Sequence, residues 1–197
     1  MTIGDSILLG ILQGITEFLP VSSSGHLAVA QQIMNVSQPG VNFEIAVHLG
    51  TLLSIFVVLG KDLRDVIMNL TSPQNQRLIL FVFIGTLPAA FFGLTMKSEI
   101  SAVSEYLPSV GAGFFVSALF LFLMRFATSI SLKMNSTKAI ILGFAQAAAL
   151  LAGISRSGMT ISSARLMGIE SKEAFSFSFF LAIPAIERRH NRLCARR

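Results

Sequence analysis

Gln13 and Glu17 stand four residues apart and are followed by Phe18-Leu19-Pro20 and the hydroxyl-rich run Ser22-Ser23-Ser24-Gly25-His26. On a helix, side chains at i and i+4 share a face, so the amide and the carboxylate project together. Pro20 ends any such helix. Three hydroxyls and free N–H groups, capping a second helix over 25–34, form a turn suited to an anion. The residue types allow several kinds of chemistry here. Ser23 is the preferred nucleophile or contact to substrate, with Ser22, Ser24 and Gly25 beside it. His26 serves as nucleophile or general acid, or instead orients Ser23. Glu17, assisted by Gln13, is the one place in this turn for a divalent cation.

A second turn supplies the missing positive charge. Gly153-Ile154-Ser155-Arg156-Ser157-Gly158-Met159-Thr160 again places hydroxyls around a tight bend, with a guanidinium at its centre. Arg156 lies within an apolar stretch, where an unpaired charge costs several kcal/mol. Its expected partners are Glu17 or an anionic substrate, and its planar fork of donors suits phosphate. Ser155, Ser157 and Thr160 are the expected neighbours of that anion. Glu44 and His48 form another pair four apart, read as a supporting polar pair.

These turns must be held by elements buried in a membrane. Of the 197 residues 53% are hydrophobic and 13% charged, with a mean hydropathy of +0.71; soluble domains carry about 25% charged residues. Residues 78–96 and 106–124 are uncharged runs of 19 residues, and 139–155 is one of 17. At about 1.5 Å per residue such runs nearly cross a hydrocarbon layer of about 30 Å. The expected class is therefore an all-α, polytopic integral membrane bundle. The formal charge of +5 does not signal a nucleic-acid groove, because residues 187–197 hold five Arg against one Glu while the rest is nearly balanced. The single Cys194 allows no disulfide framework, and Asp5 stands where a cleaved signal would be basic.

The chain also repeats itself. Leu9, Gly10, Gln13, Ser22, Ser24 and Gly25 recur as Leu142, Gly143, Gln146, Ser155, Ser157 and Gly158, all at an offset of 133. Three spans between the copies, at 45–60, 78–96 and 106–124, turn the second copy upside down, as in inverted-repeat proteins whose broken helices meet at mid-membrane. The expected organisation is a first repeat over 1–126, opening with a re-entrant segment at 6–34. The start of a second follows over 139–186, with a re-entrant segment at 139–168 and a span at 174–186. Counterparts of 78–96 and 106–124 would fall at 211–229 and 239–257, so residues 187–197 read as a non-native tail after a truncation or frameshift. The basic connections 61–77 and 127–138 are expected in the cytoplasm, and 97–105 outside.

The stretches QGITEFLPVSSSGHL (13–27) and AGISRSGMT (152–160) resemble the two signature motifs of bacterial undecaprenyl pyrophosphate phosphatases, the bacitracin-resistance family. FEIAVHLGTLLSIFVVL (43–59) and EAFSFSFFLAIPAI (173–186) are similar to that family too, so the resemblance covers about 5–186. It implies an inner-membrane enzyme with an inverted repeat and re-entrant helices. The family removes the terminal phosphate of a C55 polyprenyl diphosphate, regenerating the lipid carrier of peptidoglycan synthesis, on the outer side of the membrane and with Mg2+ or Ca2+. Carried over by position, the acidic motif falls on Gln13 and Glu17, the first turn on Ser22, Ser23 and His26, and the functional arginine on Arg156. Ala152 stands where the second motif usually has Pro, and His48 where a Gln is frequent. A homodimer is compatible with these features. The rival expectation is an inverted-repeat transporter or flippase for a lipid phosphate or other anion, since carriers hold anions at similar broken helices.

Overall fold

A computed structural model describes residues 1–36, 41–128 and 130–194, which form ten helices and no strand. They are α1 (Ile3–Phe18), α2 (Ser23–Ile33), α3 (Val41–Val58), α4 (Gly60–Met68), α5 (Pro73–Thr95), α6 (Lys97–Glu105), α7 (Leu107–Met124), α8 (Ser136–Ala148), α9 (Arg156–Leu166) and α10 (Ser171–Cys194). The helix starts follow local chemistry. Thr2 and Asp5 form a reciprocal capping box on α1, Asn135 caps α8, and prolines open α5 and α7, satisfying or removing N–H groups that a first turn leaves unpaired.

The polarity of the bundle is inverted relative to a soluble protein. Phe83, Phe115 and Val57 are exposed, whereas Gln13, Thr16, Ser117, Gln146, Ser155, Thr160, Ser162 and Ser178 are buried. Such a surface is stable against lipid, and a polar interior at that depth marks a functional cavity. α5 and α7 are long and apolar enough to cross a membrane, and residues 46–58 with α4 form a third candidate span bent by 72°. The chain is a multi-pass helical membrane protein.

Two expected connections are themselves helical. Part of 61–77 forms α4 and the start of α5, and 97–105 forms α6; neither holds a run of Gly or Pro that would stop a helix. The expected end of the last span at residue 186 also differs, because α10 runs on to Cys194. Residues 195–197 and the side chains from 185 onward lie outside what is described, as does the side chain of Glu44.

Packing brings the turns together. Ala139, Leu142, Ala164, Ile169, Ala174, Phe177 and Leu181 form a core joining α8, α9 and α10. Leu52, Ile55 and Leu59 of α3 meet Phe179 and Ala182 of α10. α8 and α9 form a hairpin that returns to its own start: the Leu132 N–H donates to the Gly168 carbonyl at 2.8 Å. α7 packs against both α2 and α9 and so lies beside both turns.

Candidate functional site

The two turns are built alike. Ser22 caps α2 and accepts from the Gly25 N–H at 3.4 Å; Ser155 caps α9 and accepts from the Gly158 N–H at 3.1 Å. In each, the capping hydroxyl lies 3.4 Å from that of the serine two residues on. These are the positions paired at the offset of 133. Ser22 has φ +66°, a left-handed conformation that costs a non-glycine residue of order 1 kcal/mol or more and is enriched at functional sites.

The tips of the turns touch. A Cβ on Gly25 would stand 2.7 Å from the Phe114 ring and 2.8 Å from the Gly153 Cα. Gly153 itself has φ +91° and lies against the Val110 carbonyl of α7. Glycine is required at both: one position has no room for a side chain, and the other also has a backbone that L residues rarely adopt.

Glu17 is the hub. Its carboxylate accepts from Arg156 Nη2 at 2.8 Å, from Gln13 Nε2 at 2.8 Å, and from the Ser23 hydroxyl in a short hydrogen bond. The Glu17 side chain is 8% exposed and that of Arg156 24%, so the arginine keeps an open edge while the acid is enclosed. Ser157 donates to the Leu19 carbonyl at 3.5 Å, a further bridge between the turns. The expectation that Arg156 pairs with Glu17 is met across 139 residues of sequence.

A polar pocket opens at this junction, lined by Thr16, Glu17, Ser22, Ser23, Ser24, Ser155, Arg156, Ser157 and Ser178, with apolar walls from Ile55 and Phe179. A second, wholly apolar cavity adjoins it, lined by Phe18, Ile55, Val58, Leu59, Phe175 and Phe179. Ile55 and Phe179 belong to both.

The remaining sequence-derived residues lie around this pocket. Gln13 is buried one helical turn below Glu17, and its Oε1 has no hydrogen-bond partner among the described residues. Gly25 forms the contact between the tips. His26 does not line the pocket: its Nδ1 donates to the Ser22 carbonyl at 2.8 Å and its ring meets Phe114 edge-on. A carbonyl only accepts, so this bond places a proton on Nδ1, and in the neutral imidazole the lone pair is then on Nε2. Thr160 is buried and donates to the Arg156 carbonyl at 2.8 Å, with its oxygen 2.5 Å from the Ser178 hydroxyl. It therefore supports the arginine turn and does not face the cavity.

Sequence reading missed Thr16, Ser178 and the α7 serine, Ser117. Ser178 lies in the 173–186 stretch, but nothing in its spacing marks it as polar lining. Among the described residues no three His, Cys, Asp or Glu side chains cluster as metal ligands. The donor set nonetheless fits a hard cation. A carboxylate on Glu17, the unpartnered amide oxygen of Gln13 and the nearby hydroxyls are all oxygen ligands. One carboxylate with water and phosphate oxygens is how Mg2+ is ordinarily held.

Comparison with known proteins decides the family. Residues 6–190 match the family model described as bacitracin resistance protein BacA. The chain belongs to that family. It is 36% identical over 206 aligned positions to an undecaprenyl-diphosphatase of Desulforapulum autotrophicum, covering 94% of this chain and 75% of the relative. An undecaprenyl-diphosphatase of Korarchaeum cryptofilum is 37% identical with the same coverage, and one of Syntrophotalea carbinolica is 40% identical over 92% of this chain and 72% of its own length. The BacA-family match spans α1 through most of α10 and includes both turns and the helices packed against them.

Proposed function

We propose that this chain hydrolyses undecaprenyl diphosphate to undecaprenyl phosphate and inorganic phosphate, at the pocket between the two turns. The observation that carries the reading is the convergence of Arg156, Glu17 and Ser23 between two capped helix N-termini inside an apolar bundle. Helix N-termini favour anions, and a diphosphate presents two anionic groups to two such ends. The adjoining apolar cavity receives the first units of the polyprenyl chain, and the rest stays in lipid. An anion carrier would need a polar pocket too, but the relatives are named as diphosphatases, so hydrolysis is the favoured reading.

Arg156 binds the incoming phosphates through its exposed edge and exchanges its pairing with Glu17 for them. The Ser23 oxygen then attacks the terminal phosphorus, its proton passes to the Glu17 carboxylate, and the bond to the bridging oxygen breaks, releasing undecaprenyl phosphate. Water hydrolyses the phosphoserine and restores the hydroxyl. His26, which stands outside the pocket lining with Nδ1 bonded to the Ser22 carbonyl, takes the proton of that water at Nε2 through one intervening water. Glu17 returns its proton to the Ser23 oxygen as inorganic phosphate leaves. A divalent cation, Mg2+ or Ca2+, would be held by Glu17 and Gln13 and would supply charge neutralisation on the phosphates.

The site is assigned to the outer half of a bacterial cytoplasmic membrane. Gly113 and Ser117 lie six and ten residues into α7, about 9–15 Å from its start at the end of the 97–105 segment. That segment carries Lys97 against Glu99 and Glu105, the composition of an outward connection under the positive-inside rule.

The purified chain in detergent, where no second compartment exists, should release phosphate from undecaprenyl diphosphate. Glu17→Ala and Arg156→Ala should each lower the rate by about 100-fold or more while still inserting in membranes. Tight binding with no phosphate release would favour transport, and wild-type rates in either variant would remove that residue from the mechanism.

A further inference from the structure

The second turn carries the arginine, yet its backbone is not held by its own residues alone. Ser117 of α7 is 3% exposed and lies 36 and 38 residues before the groups it binds. Its Oγ accepts from the Ser155 N–H at 2.8 Å and is 3.1 Å from the Gly153 carbonyl and 3.1 Å from that of Gly113 one turn back on α7. The hydroxyl thus joins the last residues before Arg156 to a membrane-spanning helix. Gly113 lets the two backbones approach, since a Cβ there would stand 2.7 Å from the Ala152 oxygen.

We infer that Ser117 is a positioning residue for the phosphate-binding arginine: it fixes the Gly153–Ser155 backbone so that Arg156 reaches both Glu17 and the headgroup. This rests on the proposed diphosphatase reading of the pocket. Three features separate this contact from ordinary helix packing. The bonded groups belong to the turn itself, directly ahead of the residue that binds. The hydroxyl is used as acceptor and donor at once, so an alanine leaves the Ser155 N–H and the Gly153 carbonyl without that partner where Ser117 and Ser155 are both buried. The first turn, which carries no arginine, has no such bond from α7 among the described residues; it meets α7 through Phe114, against Gly25 and His26. The chemistry needed at 117 is a small side chain with one hydroxyl, which serine and threonine have and alanine lacks.

The experiment compares the wild-type chain with Ser117→Ala, Ser117→Thr, Arg156→Lys and the double variant Ser117→Ala/Arg156→Lys. It reads phosphate release from undecaprenyl diphosphate, binding of inorganic diphosphate and thermal stability in detergent. Ser117→Ala should weaken diphosphate binding and lower kcat by about tenfold or more, the scale expected when a binding group is displaced by about an ångström. Ser117→Thr should recover most of that loss. In the Arg156→Lys background, where the fork is already absent, Ser117→Ala should change diphosphate binding by less than about twofold. Wild-type binding in Ser117→Ala overturns the inference. So does an undiminished loss in the Arg156→Lys background, or a loss that follows falling thermal stability and is shared by Ser117→Thr. A wild-type chain that binds diphosphate but releases no phosphate overturns the hydrolytic reading and leaves the positioning role standing on the binding data.

Discussion

At the scale of single residues, the site is a set of polar groups that are tolerable in a membrane only because they satisfy one another. Glu17 receives donors from Gln13, Ser23 and the guanidinium of Arg156, and removing any of these partners leaves an unmet group at depth. His26 shows how a single bond assigns a role. Its Nδ1 is committed to the Ser22 carbonyl, so only Nε2 is available to accept a proton. Asparagine can keep a donor near the Nδ1 position but has no counterpart of that lone pair. His26→Asn should therefore preserve folding and lower phosphate release by about 100-fold, measured in the same detergent assay. Activity near the wild type in His26→Asn would reduce His26 to a helix-capping residue.

At the scale of elements, two helical hairpins meet tip to tip and α7 stands beside both. The meeting point tolerates no side chain at Gly25, where a Cβ would press on Phe114 and on the Gly153 backbone. Gly25→Ala should separate the tips, destabilising the protein by about 1–3 kcal/mol through overpacking and reducing activity more than stability alone explains. Gly10 belongs to the same α1–α2 hairpin, but a Cβ there would meet nothing within 4 Å. Gly10→Ala should be neutral or stabilising by up to about 1 kcal/mol through helix propensity and the unfolded chain. Thermal unfolding of both variants beside the wild type tests the pair, and an equal effect at the two positions would contradict the tip contact.

At the scale of the whole molecule, a polar pocket and an apolar cavity share a wall made by Ile55 and Phe179. Phe179 stacks on Phe18, next in sequence to Glu17, with ring centroids 6.2 Å apart, and meets Phe175 at 4.5 Å with the rings tilted by 48°. Phe179→Ala should raise KM for the long-chain lipid by about tenfold, the scale of losing part of a buried aromatic contact. Inhibition by inorganic diphosphate should be unchanged, and a parallel loss of both would place Phe179 in headgroup binding. The orientation is tested separately by impermeant thiol labelling in a Cys194→Ser background. Glu99→Cys should react from the outer face of intact cells and Lys133→Cys only after permeabilisation; the reverse pattern would put the site on the cytoplasmic side.

Much of this was legible in the sequence because it is local. Uncharged runs mark membrane helices since the hydrocarbon layer admits few charges, and Pro20, the serine turns and the offset of 133 mark two similar bends without reference to anything distant. The residue types of Glu17, Ser23 and Arg156 already named a phosphate chemistry. What only tertiary structure decided is which groups meet. The bond between Arg156 and Glu17 spans 139 residues, and the roles of Ser117 and Ser178 arise from α7 and α10 packing beside the second turn. Thr160 supports Arg156 from behind, and His26 turns toward Ser22 and Phe114. Hydropathy and spacing report how each segment meets its solvent, whereas contacts between segments depend on how whole helices fit together, and no short stretch of sequence contains that information.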